Sequence, residues 1–283
     1  MAITAEVVKK LRDITGAGMM DCKKALTQSN GDFAAAEKIL KEMGLAAVAK
    51  RQDRATNNGR VFVKIGKDKA VMAELSCETD FVASNEQFAE LGENICNVAL
   101  EKGYNEVNEE LEGMVKDLIT IIKENMALKQ IKVFPIAENE FASSYVHGNG
   151  ALAVLVVFKS DDKKVFESDA VKEFANDCAL HVAAFTPSYL NKDAVDESYI
   201  KEQTEIFTAQ AEKLGKPAKV LEGIVKGKLN KHLSEICFLE QPFVKDDSMS
   251  VDKKAKEVGK AAGASLEIVN YAFLRAGAAS CSV

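Results

Sequence analysis

The chain has 283 residues, of which 47% are hydrophobic and 28% charged, and this composition is typical of a soluble globular protein with room for two domains. Its net charge of -6 disfavours a general nucleic-acid binder, which needs a basic face to neutralise phosphates. The six cysteines are spread singly, no apolar run is long enough to cross a bilayer, and the start lacks a secretory signal. These features predict reduced thiols and a cytoplasmic location.

The amino-terminal segment carries the signals of three short helices. Thr4 and Asp32 can cap the first and third helices, and residues 19–27 suit the second. The turn at residues 15–18 is too short for a phosphate-binding loop and follows no strand, so we expect a connection between helices there. The three helices predict a small bundle with a thin core, and the polar residues 51–59 predict a linker after it.

A β-hairpin and a short loop are predicted after the linker. Residues 60–65 and 70–77 are rich in Val, Ile, Phe and Leu and are separated by a turn, which is the pattern of two antiparallel strands. Residues 78–83 are expected to form a loop. Ser84 and Gln87 then fit a capping box, which predicts that a helix begins at this point.

Two helices complete the predicted first half. The helix that begins at the capping box carries apolar residues on one face and is expected to end at Gly103. The next helix is predicted from a cap at Asn108 to about Lys129.

The second half repeats the order of hairpin, loop and helix. Residues 141–146 and 151–158 predict a second hairpin across an Asn-Gly turn, and residues 169–185 predict a helix. An internal duplication is therefore expected. The two copies differ in the connecting loop, because residues 160–168 form a longer and charged segment, whereas only the first copy has a short tip with Phe and Val.

A helical hairpin is predicted between residues 196 and 238, broken at residues 215–217 by Gly-Lys-Pro. Residues 265–274 alternate well enough to be a strand that completes the second sheet. The predicted class is α+β, with an amino-terminal helical bundle, two small subdomains built from antiparallel sheet and helix, and a projecting helical hairpin.

Sites for covalent chemistry are not apparent in the sequence. There is no Gly-rich phosphate loop, and His147, His181 and His232 lack metal-ligand spacing. We expect His181 to be a packed core residue and His232 to be solvated, whereas His147 lies at a hairpin tip and is either a turn residue or a recognition residue. The sequence indicates no residue as the base that would activate a cysteine nucleophile. We therefore expect no catalytic residue, no metal and no cofactor.

The loop from Thr79 to Ala83 has two interpretations. Apolar residues just before a capped helix often fold back onto its first turn, so Phe81 or Val82 would be local core. Alternatively, these two side chains beside Asp80 form a recognition tip, because loops held on rigid scaffolds carry many binding residues. The residues alone favour local packing, and the recognition tip stays open as the alternative.

At these residues the chain closely resembles the bacterial elongation factor Ts family, whose members exchange nucleotide on the translational GTPase elongation factor Tu. The resemblance covers nearly the whole chain. It is carried by ordered motifs, namely Thr4, Leu11-Arg12, residues 15–26, residues 30–32, Thr79-Asp80-Phe81-Val82-Ala83, residues 144–148, residues 181–184, Thr186-Pro187 and residues 241–244.

The resemblance implies how such a protein would contact elongation factor Tu, both GDP-bound and nucleotide-free. The first three helices would form a ubiquitin-associated-like bundle with Arg12, Met19 and Met20 in the contact. Thr79 and Val82 would flank Asp80 and Phe81, which would wedge into the GTPase domain and disturb its magnesium and phosphate site. His147 and the second half would hold the partner's third domain, and the helical hairpin would be a coiled-coil module.

The resemblance also suggests a division into domains. The bundle would span residues 1–55, the first core subdomain residues 56–139 and the second residues 140–283, with the coiled-coil insertion at about residues 190–238. A homodimer within the complex fits the family, and we expect no direct contact with nucleic acid or membrane. Family members commonly continue into a terminal helix that contacts the partner, and this sequence shows no equivalent after the last predicted strand.

Two other functions remain open at this point. The chain could be a protein-binding scaffold or holdase that uses the bundle and hairpin without affecting nucleotides. It could also be a thiol enzyme that uses one of the scattered cysteines.

Overall fold

The computed structural model describes residues 3–277. Within them the chain forms two compact units, the first made of residues 3–134, 147–151 and 275–277 and the second of residues 135–146 and 152–274. Both units combine helices with small sheets, which confirms the predicted α+β class.

The three predicted amino-terminal helices are present. They are α1 (Ala5–Thr15), α2 (Met19–Gln28) and α3 (Phe33–Ala49). The caps are those expected from the sequence, since Thr4 accepts a hydrogen bond from the Val7 amide and Asp32 accepts one from the Ala35 amide. A small core of seven buried residues holds the helices together, namely Val8, Leu11, Cys22, Ala25, Leu26, Ala36 and Leu40.

The first sheet contains the predicted hairpin and one strand that the sequence analysis missed. Strands β1 (Asn58–Ile65) and β2 (Lys69–Cys77) are antiparallel, with Arg60 opposite Leu75. The third strand, β3 (Met126–Pro135), lies beside β2. The linker ends two residues earlier than predicted, because β1 already begins at Asn58.

The connection after β2 differs from the predicted loop. Its residues Asp80–Ala83 form one helical turn, α4, and α5 (Glu86–Lys102) follows. The predicted cap at Ser84 is wrong, because Ser84 ends α4, and Asn85 instead accepts a hydrogen bond from the Gln87 amide at 2.8 Å. Gly103 ends α5 in the left-handed conformation, as expected.

The next helix is shorter than predicted. Helix α6 (Glu109–Ile122) begins after the Asn108 cap but ends where Lys123 adopts a φ of +68°. The prediction of helix up to Lys129 is therefore wrong, because the residues from Met126 onward belong to β3. Helix α6 also contacts the bundle within the first unit, since Lys123 Nζ lies 2.6 Å from Asp21 Oδ2.

The second unit repeats the order of the first, as predicted. Strands β4 (Glu140–His147) and β5 (Leu152–Lys159) precede α7 (Asp169–Phe185). The last predicted strand, β8 (Glu267–Arg275), joins the sheet beside β5, just as β3 joins the first sheet beside β2.

The helical hairpin is also present, as α8 (Glu197–Glu212) and α9 (Ala218–Ile236). Three elements after it were not predicted, namely β6 (Pro242–Phe243), β7 (Asp246–Ser250) and α10 (Val251–Ala261). The two strands are too short to show a periodic pattern, and α10 is a short and mostly charged helix. The expectation about a terminal helix concerns residues 278–283, which lie outside the described residues.

Candidate functional site

The Phe81 tip, defined here as residues Thr79–Ala83, presents one apolar side chain to solvent and buries another. Phe81 is 84% exposed, whereas Val82 is 7% exposed and packs into the core of the first unit. Asp80 is exposed next to Phe81. The hypothesis of local packing is therefore right for Val82 and wrong for Phe81, because a single helical turn points the two side chains in different directions.

Thr79 fixes the start of this helical turn. Its Oγ1 accepts a hydrogen bond from the Val82 amide at 3.3 Å and donates to Glu124, with both carboxylate oxygens at 3.0 Å. The Thr79 amide also donates to Glu124 Oε2 at 3.2 Å. Glu124 was not predicted from the sequence, because this residue lies 45 positions further along the chain.

The residues around Thr79 are themselves anchored. Glu78 Oε1 accepts a hydrogen bond from the Asn125 amide at 2.6 Å, and the Glu78 carbonyl accepts one from Asn58 Nδ2 at 2.9 Å. The Asn125 side chain donates to the Arg54 carbonyl at 2.7 Å. Because these bonds tie the end of β2 to distant segments, the Phe81 tip stands on a rigid base.

Cys77 lies beneath the tip as a buried thiol. Its Sγ donates to the Thr79 carbonyl oxygen at 3.1 Å. Burial raises the pKa of the Cys77 thiol to about 12, and the nearby Glu124 carboxylate adds to the increase. The thiol therefore remains protonated at neutral pH and acts as a hydrogen-bond donor.

The bundle residues expected in the partner contact lie around the turn between α1 and α2. Arg12 is exposed on α1, and Met19 and Met20 at the start of α2 are 38% and 76% exposed. Ile14, 59% exposed near the same turn, was not singled out from the sequence. Three large apolar side chains are therefore exposed within seven residues of the chain around this turn.

His147 lies at the end of β4, outside the Phe81 tip and the bundle. It is exposed, and the adjacent Val146 is 46% exposed. The turn that follows contains Asn149 with a φ of +55°, a conformation that asparagine tolerates better than most residues. The sequence had indicated His147 but not Val146.

His181 is the packed core histidine that the sequence predicted. The Val244 amide donates to its Nδ1 at 3.2 Å, so Nε2 carries the proton and donates to Gln241 Oε1 at 2.9 Å. Burial lowers the pKa of His181, and the hydrogen bond to Gln241 opposes this effect. The imidazole is neutral and joins α7 to the segment around β6.

His232 differs from the prediction of a solvated residue. Its Nε2 lies 2.8 Å from the Tyr199 hydroxyl, and the imidazole is half-buried between α8 and α9. Its ring also packs edge-on against Phe207. His232 is therefore part of the contact that joins the two arms of the helical hairpin.

The thiols in the described part of the chain are poor candidates for catalysis. Cys22, Cys77, Cys96, Cys178 and Cys237 are all buried and unpaired by disulfides. Burial raises the pKa of Cys96 to about 12 and that of Cys237 to about 11, so little of the reactive thiolate exists at neutral pH.

Residues 3–277 also bear on membrane insertion and metal binding. None of their helices combines the length and apolar character needed to cross a bilayer. Across the same residues, no group of three or more His, Cys, Asp or Glu side chains is arranged to hold a metal ion.

Comparison with known proteins agrees with the motifs around the tip. Residues 78–278 match the protein family described as Elongation factor TS. The chain is 53% identical to elongation factor Ts of Treponema denticola over 277 residues, which cover 98% of this chain and 99% of the relative. It is 46% identical to elongation factor Ts of Treponema pallidum over 288 residues, and 45% identical to that of Borreliella burgdorferi over 276 residues. These two matches cover 98% and 97% of this chain, and 99% of each relative. The chain therefore belongs to the elongation factor Ts family.

Proposed function

We propose that this protein is the guanine-nucleotide exchange factor for elongation factor Tu in translation elongation, and that it acts by binding and not by covalent chemistry. The observation that carries the proposal is Phe81, which is 84% exposed on a helical turn whose N-cap, Thr79, is hydrogen-bonded to Glu124. Such an exposed aromatic side chain on a rigid base is suited to insertion into another protein.

In the proposed mechanism, part of the binding free energy comes from burying the side chain of Phe81 in the partner. Because Phe81 is exposed before binding, its apolar surface is removed from water only in the complex, which contributes about 1.5–3 kcal/mol. Asp80 beside it would bring a carboxylate toward the magnesium and phosphate site of the GTPase domain. There it would repel the phosphates and attract the magnesium ion, and both effects weaken nucleotide binding.

Phe81 alone does not supply enough free energy for strong exchange. Weakening nucleotide binding by about a thousandfold requires about 4 kcal/mol of differential interaction. Burial of one Phe side chain falls short of that value. We therefore infer a second anchor at His147 and additional contacts from Arg12, Met19 and Met20, so that the wedge acts against a partner held at more than one point.

Exchange then follows from thermodynamic coupling. Suppose that the factor binds nucleotide-free elongation factor Tu more tightly than it binds the GDP-bound form. GDP binding must then lower the affinity of elongation factor Tu for the factor by the same ratio. The factor therefore accelerates GDP release and is itself expelled when a nucleotide rebinds.

The proposal is tested by measuring the release of a fluorescent GDP analogue from elongation factor Tu of the same source, with and without this protein. We expect catalytic amounts of the protein to accelerate release strongly. Unchanged release at saturating protein, with binding to elongation factor Tu confirmed separately, would leave the scaffold or holdase function as the better account.

A thiol enzyme is the weaker alternative. The raised pKa values of Cys77, Cys96 and Cys237 oppose it, since they keep these thiols protonated. Replacing all six cysteines should leave nucleotide exchange intact if the wedge account is correct.

A further inference from the structure

The helical turn that carries Phe81 is too short to be stable by itself. Helix α4 has four residues, Asp80–Ala83, and forming a first turn in water is unfavourable because several dihedral angles are fixed for each hydrogen bond gained. Its conformation must therefore come from contacts with the rest of the protein. Packing of Val82 in the core of the first unit supplies some of these contacts, and the hydrogen bonds to Glu124 are made by Thr79, the residue immediately before the turn.

The Thr79 hydroxyl has one proton and is used in both directions. It donates the proton to Glu124 and accepts from the Val82 amide. A carboxylate is a stronger acceptor than a neutral group, so Glu124 fixes the orientation of the hydroxyl and aims its lone pair at Val82. Glu124 also accepts from the Thr79 amide, which leaves Thr79 little freedom to rotate.

Glu124 is itself held on both sides along the chain. Before it, Lys123 ends α6 with a φ of +68° and forms an ion pair with Asp21. After it, Asn125 is buried and bonds through its backbone to Glu78 and through its side chain to the Arg54 carbonyl. The carboxylate of Glu124 is therefore presented to Thr79 from an ordered segment.

We propose that Glu124 is a positioning residue for nucleotide exchange, which holds α4 so that Phe81 stands in its binding-competent direction before the partner arrives. The inference rests on the proposed function and deepens it. Its physical basis is preorganisation, since a tip that is already ordered loses less conformational entropy when it binds. Glu124 acts through Thr79 and Phe81 and needs no contact with the partner.

A double-mutant cycle tests this role in the full-length protein with the GDP-release assay. Glu124→Ala should slow stimulated release about tenfold, because both hydrogen bonds to Thr79 are lost. Glu124→Gln keeps the length of the side chain and one acceptor oxygen. Stimulated release with this variant should therefore be only about threefold slower than with the parent. In a Phe81→Ala background, Glu124→Ala should cause almost no further loss, because there is no longer a Phe side chain to position.

Two measurements separate positioning from general damage. Hydrogen exchange of the Val82 and Ala83 amides, both bonded to Thr79, should accelerate in Glu124→Ala while the amides of α1–α3 keep their protection. The matched control is Glu110→Gln on α6. Glu110 also receives two side-chain hydrogen bonds, from Lys102 and Tyr104, and this substitution should leave exchange unchanged.

The inference is overturned if Glu124→Ala slows release by the same factor in the parent and in the Phe81→Ala background. It is also overturned if Glu124→Ala leaves the parental rate unchanged. A failure of the proposed function gives different results. In that case the parent protein does not accelerate GDP release, or the Phe81→Ala protein accelerates it as much as the parent does.

Discussion

The strand-to-helix connection after β2 in the first unit and the one after β5 in the second unit are built alike but use their phenylalanines differently. In the first unit, β2 leads through α4 to α5, and Phe81 is 84% exposed. In the second unit, β5 leads through a short 3-10 turn, Lys163–Glu167, to α7. There Phe166 stacks on Phe141 with ring centroids 5.5 Å apart.

The second connection is closed by its own contacts. Val165 is 3% exposed, and Asp161 Oδ1 accepts from the Ser265 amide at 2.8 Å and from the Ser265 hydroxyl at 2.7 Å. A carboxylate thus fixes this segment much as Glu124 fixes Thr79. The same arrangement therefore packs its aromatic side chain against the fold in the second unit and leaves that of Phe81 exposed in the first.

The largest expected effect that separates the two connections is on stability. Phe166→Ala should reduce the free energy of unfolding by about 2 kcal/mol, because a half-buried ring and its stacking on Phe141 are lost. Phe81→Ala should change it by less than about 0.5 kcal/mol, as for other exposed positions. Urea unfolding of both variants checks this difference, and an equal loss in both would show that Phe81 packs on its own protein.

A smaller effect tests whether the Phe81 tip needs a second anchor. His147→Ala should slow stimulated GDP release about fivefold, which corresponds to about 1 kcal/mol of lost interaction with the partner. Glu138→Gln, an exposed change just before β4, serves as the control and should have no effect. If the His147→Ala protein stimulates GDP release at the parental rate, the second anchor lies elsewhere.

A third effect concerns pH and the second unit. Because burial lowers the pKa of folded His181, the unfolded chain takes up a proton first as the pH falls. Stability is thus fully present above the unfolded value of about 6.5 and decreases below it, by at most about 1.4 kcal/mol per pH unit for one proton. Urea midpoints between pH 7.5 and 5.5 should show this slope, and His181→Gln should flatten it.

Local signals in the sequence predicted much of the fold. Thr4, Asp32 and Asn108 are helix caps whose side chains bond amides two or three residues away, so a short window contains the whole interaction. Strand β3 was missed because its first residues follow the apolar end of α6, and Lys123 ends that helix without glycine or proline.

The tip motif was visible in the sequence, but its geometry was not. Phe81 and Val82 are adjacent and both apolar, and only the phase of a single helical turn decides which one is buried. Thr79, the cap of that turn, is hydrogen-bonded to Glu124, and no short window of sequence contains both residues because they are 45 positions apart. His232 was misjudged for the same reason, because its partner Tyr199 lies on the opposite arm of the hairpin.

The most direct test of the account is stimulated GDP release from elongation factor Tu by Phe81→Ala, measured beside the parent and alongside the urea unfolding of both proteins. If Phe81 acts as a wedge, release should be about thirtyfold slower than with the parent, which corresponds to about 2 kcal/mol of lost apolar burial, and stability should be unchanged. Parental release by a correctly folded Phe81→Ala protein would contradict the wedge.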